Sequence, residues 1–288
     1  MSRWHLGTTG FSHGDWQRSF YPSRIRAAGR LGWYATQFNA VELESTARAL
    51  PTADQVRYWL NAVPAGFRFS AVAPQSITRS PGRLDSAPRL RQLERLAESL
   101  APLGGKLGAI LIRLGPDIRH QRFGELQGLL ATAAATGRRF ALEIAHPSWW
   151  QAETAELLAE HNVAWAYVDA ADHSIAGLPG DRLPQGAYRP RLPPRTADFL
   201  YVRWLGQPRQ FGDLGREHLN PDPRLTWWLQ LLHRELESRP APAGVFGFFS
   251  NDYAGHAPAT CRRFRQLLRG EPVREVPLAQ GSLFQDTP

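Results

Sequence analysis

Eight short apolar runs recur along the sequence, and segments with helical spacing separate them. A short apolar run bounded by turn residues is typical of a buried strand, whereas apolar residues spaced near 3.6 are typical of a helix packed on one face. The predicted strands are His5–Thr8, Ala40–Leu43, Arg68–Val72, Ala109–Arg113, Phe140–Ile144, Ala164–Asp169, Leu200–Trp204 and Val245–Phe249. Strands that alternate with helices predict parallel βαβ units. Eight such units within 288 residues favour a TIM (β/α)8 barrel over an open doubly wound sheet.

The segments between the predicted strands carry the spacing of amphipathic helices. They are Arg26–Phe38, Thr52–Asn61, Leu90–Leu100, Phe123–Thr136, Thr154–Glu160, Leu225–Leu236 and Ala257–Leu268. The sixth unit departs from this pattern, because residues 170–198 are rich in glycine and proline and are expected to form a long loop. We therefore predict a single barrel domain over residues 1–270, followed by an extended C-terminal tail over residues 271–288.

The sequence lacks the motifs of the common nucleotide-binding loops. The turn after the first predicted strand, Gly7-Thr8-Thr9-Gly10-Phe11, does not have the Gly-x-Gly-x-x-Gly spacing of a dinucleotide-binding loop. Lys106 follows two glycines, but no serine or threonine comes next, so it does not complete a Walker A loop. The single cysteine, Cys261, excludes a disulfide framework and any metal site built from several cysteines. We therefore expect no cofactor.

The formal charge is +8 at pH 7, since 34 lysine and arginine residues face 26 acidic ones. Lys106 is the one lysine, so the basic balance reflects a preference for arginine throughout the chain. No run of adjacent basic residues forms the kind of arm that binds nucleic acid. A small anionic or sugar-like ligand is therefore the expected partner, and nucleic acid is a less favoured one.

Nothing in the sequence indicates contact with a membrane. No stretch approaches the ~18 consecutive apolar residues that a spanning helix needs. The first residues, Met1–Gly7, lack the apolar stretch and the small-residue cleavage site of a secretory signal. We expect a cytoplasmic protein.

Polar residues cluster at the predicted ends of the strands, where TIM barrels place their active sites. Glu42 and Glu143 lie within otherwise apolar strands, and a buried carboxylate is costly unless it is paired or solvated. Because Glu143 shares a strand face with Ala141, we expect both to point into the barrel. We predict that the two carboxylates share a cavity with Arg203, and that His146 lies at its rim.

The other candidates for ligand binding are polar residues at strand ends and aromatic residues in the loops that follow: Thr8, Phe11, Arg113, Trp149, Asp169 and Asn251. Aromatic side chains at a barrel mouth suit stacking on a base or a sugar. Two structural alternatives stay open. The carboxylates could form ion pairs with Arg113 or Arg203 that hold the mouth together. The aromatic loops could instead fold down and plug the barrel, which we favour for Trp16 and Tyr21.

Several segments, in order along nearly the whole chain, form a family pattern. They include Gly7-Thr8-Thr9-Gly10-Phe11-Ser12, Val41-Glu42-Leu43-Glu44-Ser45-Thr46, Gly66-Phe67-Arg68-Phe69, Glu143-Ile144-Ala145-His146-Pro147-Ser148-Trp149, Tyr201-Val202-Arg203 and Phe248-Phe249-Ser250-Asn251-Asp252. With these segments the chain resembles the YecE-like family, the domain of unknown function seventy-two. The resemblance implies a TIM barrel distantly similar to those of endonuclease IV and xylose isomerase, and it implies no particular reaction.

The chain departs from the family pattern at three positions of the expected mouth. Val72 stands where the family usually has a lysine, Arg79 replaces a histidine, and Ala145 replaces an arginine. Because Arg79 brings a cation where the family has a histidine, we expect no tightly bound metal. The alternative, a metal held by carboxylate and imidazole ligands, would use Glu42, Glu143, His146 and Asp169.

These residues suggest three kinds of function. The first is a hydrolase acting on a phosphorylated or sugar-like substrate, in which Glu143 is the general base, His146 the acid or orienting group and Glu42 a further catalytic side chain. Arg203 and Arg113 would then clamp the anionic group. The alternatives are a non-catalytic anion- or ligand-binding barrel, and a nucleic-acid-binding protein related to endonuclease IV.

Overall fold

The computed structural model describes residues 3–78, 81–170, 181–182, 188–189 and 192–271. Its strands are β1 (Trp4–Thr8), β2 (Ala40–Leu43), β3 (Arg68–Val72), β4 (Leu107–Leu114), β5 (Phe140–Ile144), β6 (Ala164–Trp165), β7 (Tyr167–Asp169), β8 (Asp181–Arg182), β9 (Tyr188–Arg189), β10 (Leu200–Trp204) and β11 (Val245–Phe249). Its α-helices are α1 (Arg30–Gln37), α2 (Ala53–Ala62), α3 (Gln75–Thr78), α4 (Ala87–Leu100), α5 (Phe123–Ala135), α6 (Ala152–Glu160), α7 (Asp222–Glu237) and α8 (Ala257–Leu268). Arg79, much of the predicted loop over residues 170–198 and tail residues 272–288 lie outside the described residues.

The strands of the barrel pair in parallel, as the alternation of strands and helices predicts. A five-stranded sheet has the order β2-β3-β4-β5-β6, and a four-stranded sheet has the order β1-β11-β10-β7. β6 and β7 are two halves of one run that is interrupted at Ala166, so the two sheets continue into each other there. The eight predicted strands are therefore confirmed, and the fold is a TIM-like α/β barrel. β8 and β9 form a separate antiparallel pair.

Side chains, instead of a continuous backbone ladder, join β1 to β2. The Tyr34 hydroxyl, which comes from α1, accepts a hydrogen bond from the Thr8 amide (2.9 Å) and donates one to the Ala40 carbonyl (3.0 Å). Nearer the start of both strands, Asn39 Oδ1 accepts from the Leu6 amide (2.9 Å), and its Nδ2 donates to a carbonyl of β1 (2.8 Å). The two side chains thereby satisfy buried backbone groups that would otherwise lack partners.

Removing the bridging hydroxyl is expected to weaken the fold. Tyr34→Phe should lower the free energy of unfolding by about 2 kcal/mol, because a buried amide and a buried carbonyl lose their partner. Urea unfolding followed by circular dichroism measures the loss. Tyr58→Phe is a matched control, because that hydroxyl donates to the Ala28 carbonyl (2.8 Å) from an exposed side chain and water can replace the bond. Equal losses in the two variants would contradict this account.

Alternate residues of each strand fill the barrel interior or pack under the helices. Ala141 belongs to an inner cluster with Leu111 and Phe246, whereas the outward residues pack with the helices in a larger cluster. Glu143 follows two residues after Ala141 on β5, and its carboxylate meets the Arg203 guanidinium inside the barrel. It therefore points inward, on the strand face that it shares with Ala141.

The helices match the predicted segments with shifted ends. α1 begins at Arg30, because residues 27–29 form a 3-10 turn instead of the expected first helical turn. α7 begins at Asp222, before the predicted start at Leu225, because the Asn220 side chain accepts a hydrogen bond from the Asp222 amide (3.0 Å). None of the helices in the described ranges is long and apolar enough to cross a membrane.

Candidate functional site

Arg203 lies at the mouth of the barrel and joins two buried glutamates. It comes from β10, Glu42 comes from β2 and Glu143 from β5. Its Nη2 donates to Glu42 Oε1 (2.7 Å), and its Nη1 donates to Glu143 Oε2 (2.5 Å). Its Nε contacts both oxygens of Glu42, at 3.2 and 3.1 Å. All three residues are at most 4 % exposed. The structure thus brings the three predicted residues together, and ion pairs join them.

The network reaches solvent through two partly exposed side chains. Arg113 on β4 donates from Nε to Glu143 Oε1 (3.0 Å), so both oxygens of that carboxylate are bound to guanidinium groups. Glu44, in the turn after β2, accepts from Arg203 Nη2 (3.0 Å). The Arg113 side chain is 38 % exposed and that of Glu44 41 %. Both therefore lie at the edge of the site.

Tyr201, two residues before Arg203 on β10, is the last member of the network. Its hydroxyl donates to Glu42 Oε2 (2.6 Å), and the residue is buried. The sequence places Glu44 at the strand-end face beside Glu42 but gives it no role, and Tyr201 was not selected as a site residue. A signal for Tyr201 was present, because it lies two residues before Arg203 on one strand and so shares its face. We call these six residues the mouth network: Glu42, Glu44, Arg113, Glu143, Tyr201 and Arg203.

The mouth network shifts the pKa values of its two buried carboxyl groups in opposite directions. Burial raises the pKa of Glu42, and the Arg203 guanidinium offsets only part of that effect. Burial also acts to raise the pKa of Glu143, but the charges of Arg203 and Arg113 together outweigh it and lower the pKa to about 2. Burial and the neighbouring Glu42 carboxylate raise the pKa of Tyr201 well above its ordinary value. Glu143 is therefore ionised at neutral pH and is a weak base.

A cleft of about 370 Å³ opens beside the mouth network, at the carboxyl ends of β3, β4 and β5. Its polar lining consists of Gln75, Thr78, Arg113, Asp117 and Glu143. Arg113 belongs to both the network and the cleft. Among the described residues only its Nε has a hydrogen-bond partner, so Nη1 and Nη2 are available to a ligand.

His146 and Trp149 lie in the loop after β5, and contacts with protein groups hold both side chains. His146 Nδ1 accepts a hydrogen bond from the Ser148 amide (3.1 Å) and contacts the Ser148 hydroxyl (2.8 Å). Within the described ranges its ring makes no hydrogen bond to Glu143. Trp149 is fully buried, and its Nε1 donates to the Ile118 carbonyl (2.7 Å). The prediction of a stacking role for Trp149 is not supported, because its ring is packed inside the protein.

Three other predicted ligand-binding residues support the loops above the barrel. Thr8 is fully buried, and its hydroxyl donates to a carbonyl in the turn after β1 (2.6 Å). Asn251 Oδ1 accepts from Trp16 Nε1 (3.0 Å) and from the first amide of α8 (3.0 Å). The carbonyl of Phe11 accepts a hydrogen bond from the Tyr21 hydroxyl. Trp16 and Tyr21 are fully buried, which agrees with the alternative that these loops plug the barrel.

Asp169 faces the helices and takes no part in the mouth network. It is fully buried, and its carboxylate is ion-paired with Arg224 on α7. It also accepts hydrogen bonds from Trp228 Nε1 (2.5 Å) and the Tyr253 hydroxyl (2.9 Å). The geometry therefore makes Asp169 an anchor for α7 instead of the predicted substrate ligand, because donors from α7 and from the turn after β11 occupy its carboxylate.

No group of three or more His, Cys, Asp or Glu side chains in the described part of the chain is arranged to hold a metal ion. Glu42 and Glu143 have Arg203 as their shared partner, and a positive charge between two carboxylates disfavours a cation there. The absence of a tightly bound metal stays a prediction. Arg79, on which that prediction partly rests, lies outside the described residues.

Comparison with known proteins identifies the family. Residues 5–281 match the family described as Protein of unknown function DUF72. The chain belongs to the DUF72 family. The YecE-like family that the sequence motifs indicate is this same family, so the prediction from those motifs is confirmed. Among curated proteins, none matches this DUF72 chain.

Two crystal structures of DUF72 family proteins are similar to this DUF72 chain. The one from Thermotoga maritima MSB8 has a TM-score of 0.69 at 24% sequence identity, and the match covers 92% of this chain and 99% of that one. The one from Enterococcus faecalis V583 has a TM-score of 0.66 at 20% identity, with 93% of this chain and 98% of that one covered. At these identities the similarity shows a shared fold.

Proposed function

We propose that this protein binds a small ligand with one anionic group in the cleft at the ends of β3, β4 and β5. The observation that carries the proposal is the state of Arg113, whose Nε is fixed by Glu143 while its side chain is 38 % exposed in the cleft lining. A guanidinium held along one edge presents its other donors in a fixed geometry, which suits bidentate contact with a phosphate or carboxylate.

The rest of the cleft suits a hydroxylated ligand. Gln75, Thr78 and Asp117 bring an amide, a hydroxyl and a carboxylate to the lining, and these groups form hydrogen bonds with sugar hydroxyls. Among the described residues of the lining, Arg113 is the one cationic side chain, so a single anionic group is expected. A phosphorylated or acidic sugar combines both features. A cytoplasmic location, expected from the sequence, is part of the proposal.

A binding role has more support than a hydrolytic one. A general base must take up a proton, but both Glu143 oxygens are bound to guanidinium groups and its pKa is about 2. The opposite pKa shifts of Glu42 and Glu143 resemble those of an acid–base pair, but Glu42 is fully buried. His146 is bound to Ser148 in its own loop. We therefore favour the non-catalytic ligand-binding barrel over the hydrolase.

The anion contact is tested by removing it. We expect Arg113→Gln to weaken binding of glucose 6-phosphate at least tenfold, measured by isothermal titration, because the charge-assisted contacts to the phosphate are lost. Arg83→Gln is the matched control, since that arginine is exposed, pairs with Asp85 and lies outside the cleft. Glucose, which lacks the phosphate, should bind more weakly than glucose 6-phosphate. No binding of glucose 6-phosphate by the wild type, or equal affinity in the two variants, would refute the proposal.

The alternatives have their own readouts. Hydrolysis of p-nitrophenyl phosphate or a p-nitrophenyl glycoside that is lost in Glu143→Gln would favour the hydrolase. A gel shift of short nucleic acids that falls with rising salt would favour nucleic-acid binding, for which the +8 charge is the main support.

A further inference from the structure

A second cavity lies at the opposite end of the barrel, by the amino ends of β1 and β3. Its volume is about 520 Å³, larger than that of the cleft at the mouth. Its walls are mostly apolar, with Ala35 on α1, Phe38 after that helix, and residues 64–67 before β3. Cavities of this size with apolar walls and a few polar groups are typical of small-molecule sites.

One polar side chain in this cavity is left without a partner. Asn39 is fully engaged with β1, but His5 Nδ1 is buried and has no hydrogen-bond partner among the described residues. The ring stacks on Phe246, with centroids 4.9 Å apart, and this contact fixes its orientation. A buried polar nitrogen without a partner costs free energy.

The cavity also has a cationic side. Arg68 lines it, and its Nη1 donates to two carbonyls of the turn before β3. Arg139 is not part of the lining, and its guanidinium lies over the Phe199 ring, 5.9 Å from its centre. Burial, with the charges of Arg68 and then Arg139, lowers the pKa of His5 to about 4. Within the described residues neither arginine forms an ion pair, and the lining contains no carboxylate.

We propose that this cavity binds a small apolar carboxylic acid, aliphatic or aromatic, in its ionised form. The carboxylate accepts hydrogen bonds from the Arg68 guanidinium and lies beside the imidazole of His5, which lines the same cavity. The apolar body packs against Phe38 and Pro64. Charge complementarity selects an anion, and the apolar walls select against a small hydrated one such as phosphate. The site is separate from the mouth and does not depend on the function proposed for it.

Benzoate is the probe, and NMR follows its binding through the imidazole resonance of His5. The resonance is assigned to His5 because it is missing from the spectrum of His5→Gln. We expect benzoate to shift this resonance saturably. Benzyl alcohol, a neutral analogue of similar size, and acetate, which lacks the apolar body, should each bind at least tenfold more weakly. Because the readout is a group in this cavity, an anion that binds only at Arg113 leaves it unchanged.

Two variants fill the cavity, and one controls for them. Ala35→Leu adds bulk to the wall, and Gly66→Leu adds it at a position where a new Cβ meets no atom within 4 Å. Each should weaken benzoate binding at least tenfold. Thr36→Leu places the same side chain on an exposed position of α1 and should change the affinity less than twofold. If Ala35→Leu does not fold, Gly66→Leu decides.

Three results would overturn the proposal: no shift of His5 by benzoate, equal affinity for benzyl alcohol, or the same affinity in the filled variants as in Thr36→Leu. Equal affinity for benzyl alcohol would mean that the cavity accepts apolar molecules without regard to charge.

Discussion

Arg203→Met is expected to lower the free energy of unfolding by about 3–5 kcal/mol at neutral pH, because it leaves buried carboxylates without their shared partner. Among the described residues, Glu42 loses its only cationic partner, and Glu143 keeps only Arg113. The methionine fills a similar volume, so the loss reports charge more than packing. Chemical denaturation at pH 7 measures it.

Two companion variants separate this effect from a general sensitivity to mutation. Arg57→Met removes an exposed arginine that pairs with Asp54, and such surface pairs contribute little, so stability should be nearly unchanged. The double variant Arg203→Met with Glu42→Gln should recover part of the loss, because one unpaired charge is gone. A loss below about 1 kcal/mol in Arg203→Met would show that the mouth network does not stabilise the barrel.

Acid should unfold the protein partly through Glu143. Its folded pKa of about 2 lies below the ordinary 4.5, so the ionised carboxylate contributes about 3 kcal/mol of stability above pH 4.5. That contribution disappears as the pH falls through 4.5 towards 2, because the unfolded chain then binds a proton that the folded one does not. Between pH 6 and pH 3, we expect the wild type to lose about 2 kcal/mol more than Glu143→Gln.

The quantity compared is the change of the free energy of unfolding with pH, and the absolute free energy of unfolding is not used. Glu42 has a raised pKa and acts with the opposite sign, but it is present in both proteins. Glu94→Gln, at an exposed position on α4 outside the mouth network, should retain the wild-type slope. Parallel slopes for the wild type and Glu143→Gln would contradict the lowered pKa.

The sequence predicts those site residues whose charged side chains lie in apolar strands, because a buried charge needs a partner. A carboxylate in an apolar run, as at Glu42 and Glu143, must have a partner inside the barrel, and Arg203 is the cation within a similar run. Strand alternation then gives the inward face, since Ala141 and Glu143 are two residues apart. The strand order follows from the parallel βαβ units, so the fold is readable at the same level.

The missed assignments are those that depend on which face or depth a residue reaches. The run from Ala164 to Asp169 is apolar on both faces, so alternation could not show that Asp169 turns to α7 and meets Arg224. Trp149 lies in a loop, and the sequence does not show that its indole Nε1 donates a hydrogen bond to the Ile118 carbonyl inside the protein. Such contacts arise between segments far apart in the chain, and local patterns carry no trace of them.

The side-chain junction between β1 and β2 also bears on the order in which the chain folds. On its other edge β1 pairs with β11, and Thr9, directly after β1, donates a hydrogen bond to the Phe249 carbonyl, which lies 240 residues further along the chain. β1 is therefore paired on both edges only after α1 has docked with Tyr34 and β11 has been synthesised. Contacts between residues so far apart in the sequence form slowly. During synthesis on the ribosome, α1 and β2 follow β1 directly, but the edge of β1 that pairs with β11 stays open until almost the whole barrel has emerged. An open strand edge is a template for pairing with other chains, so chaperone protection matters most in that interval.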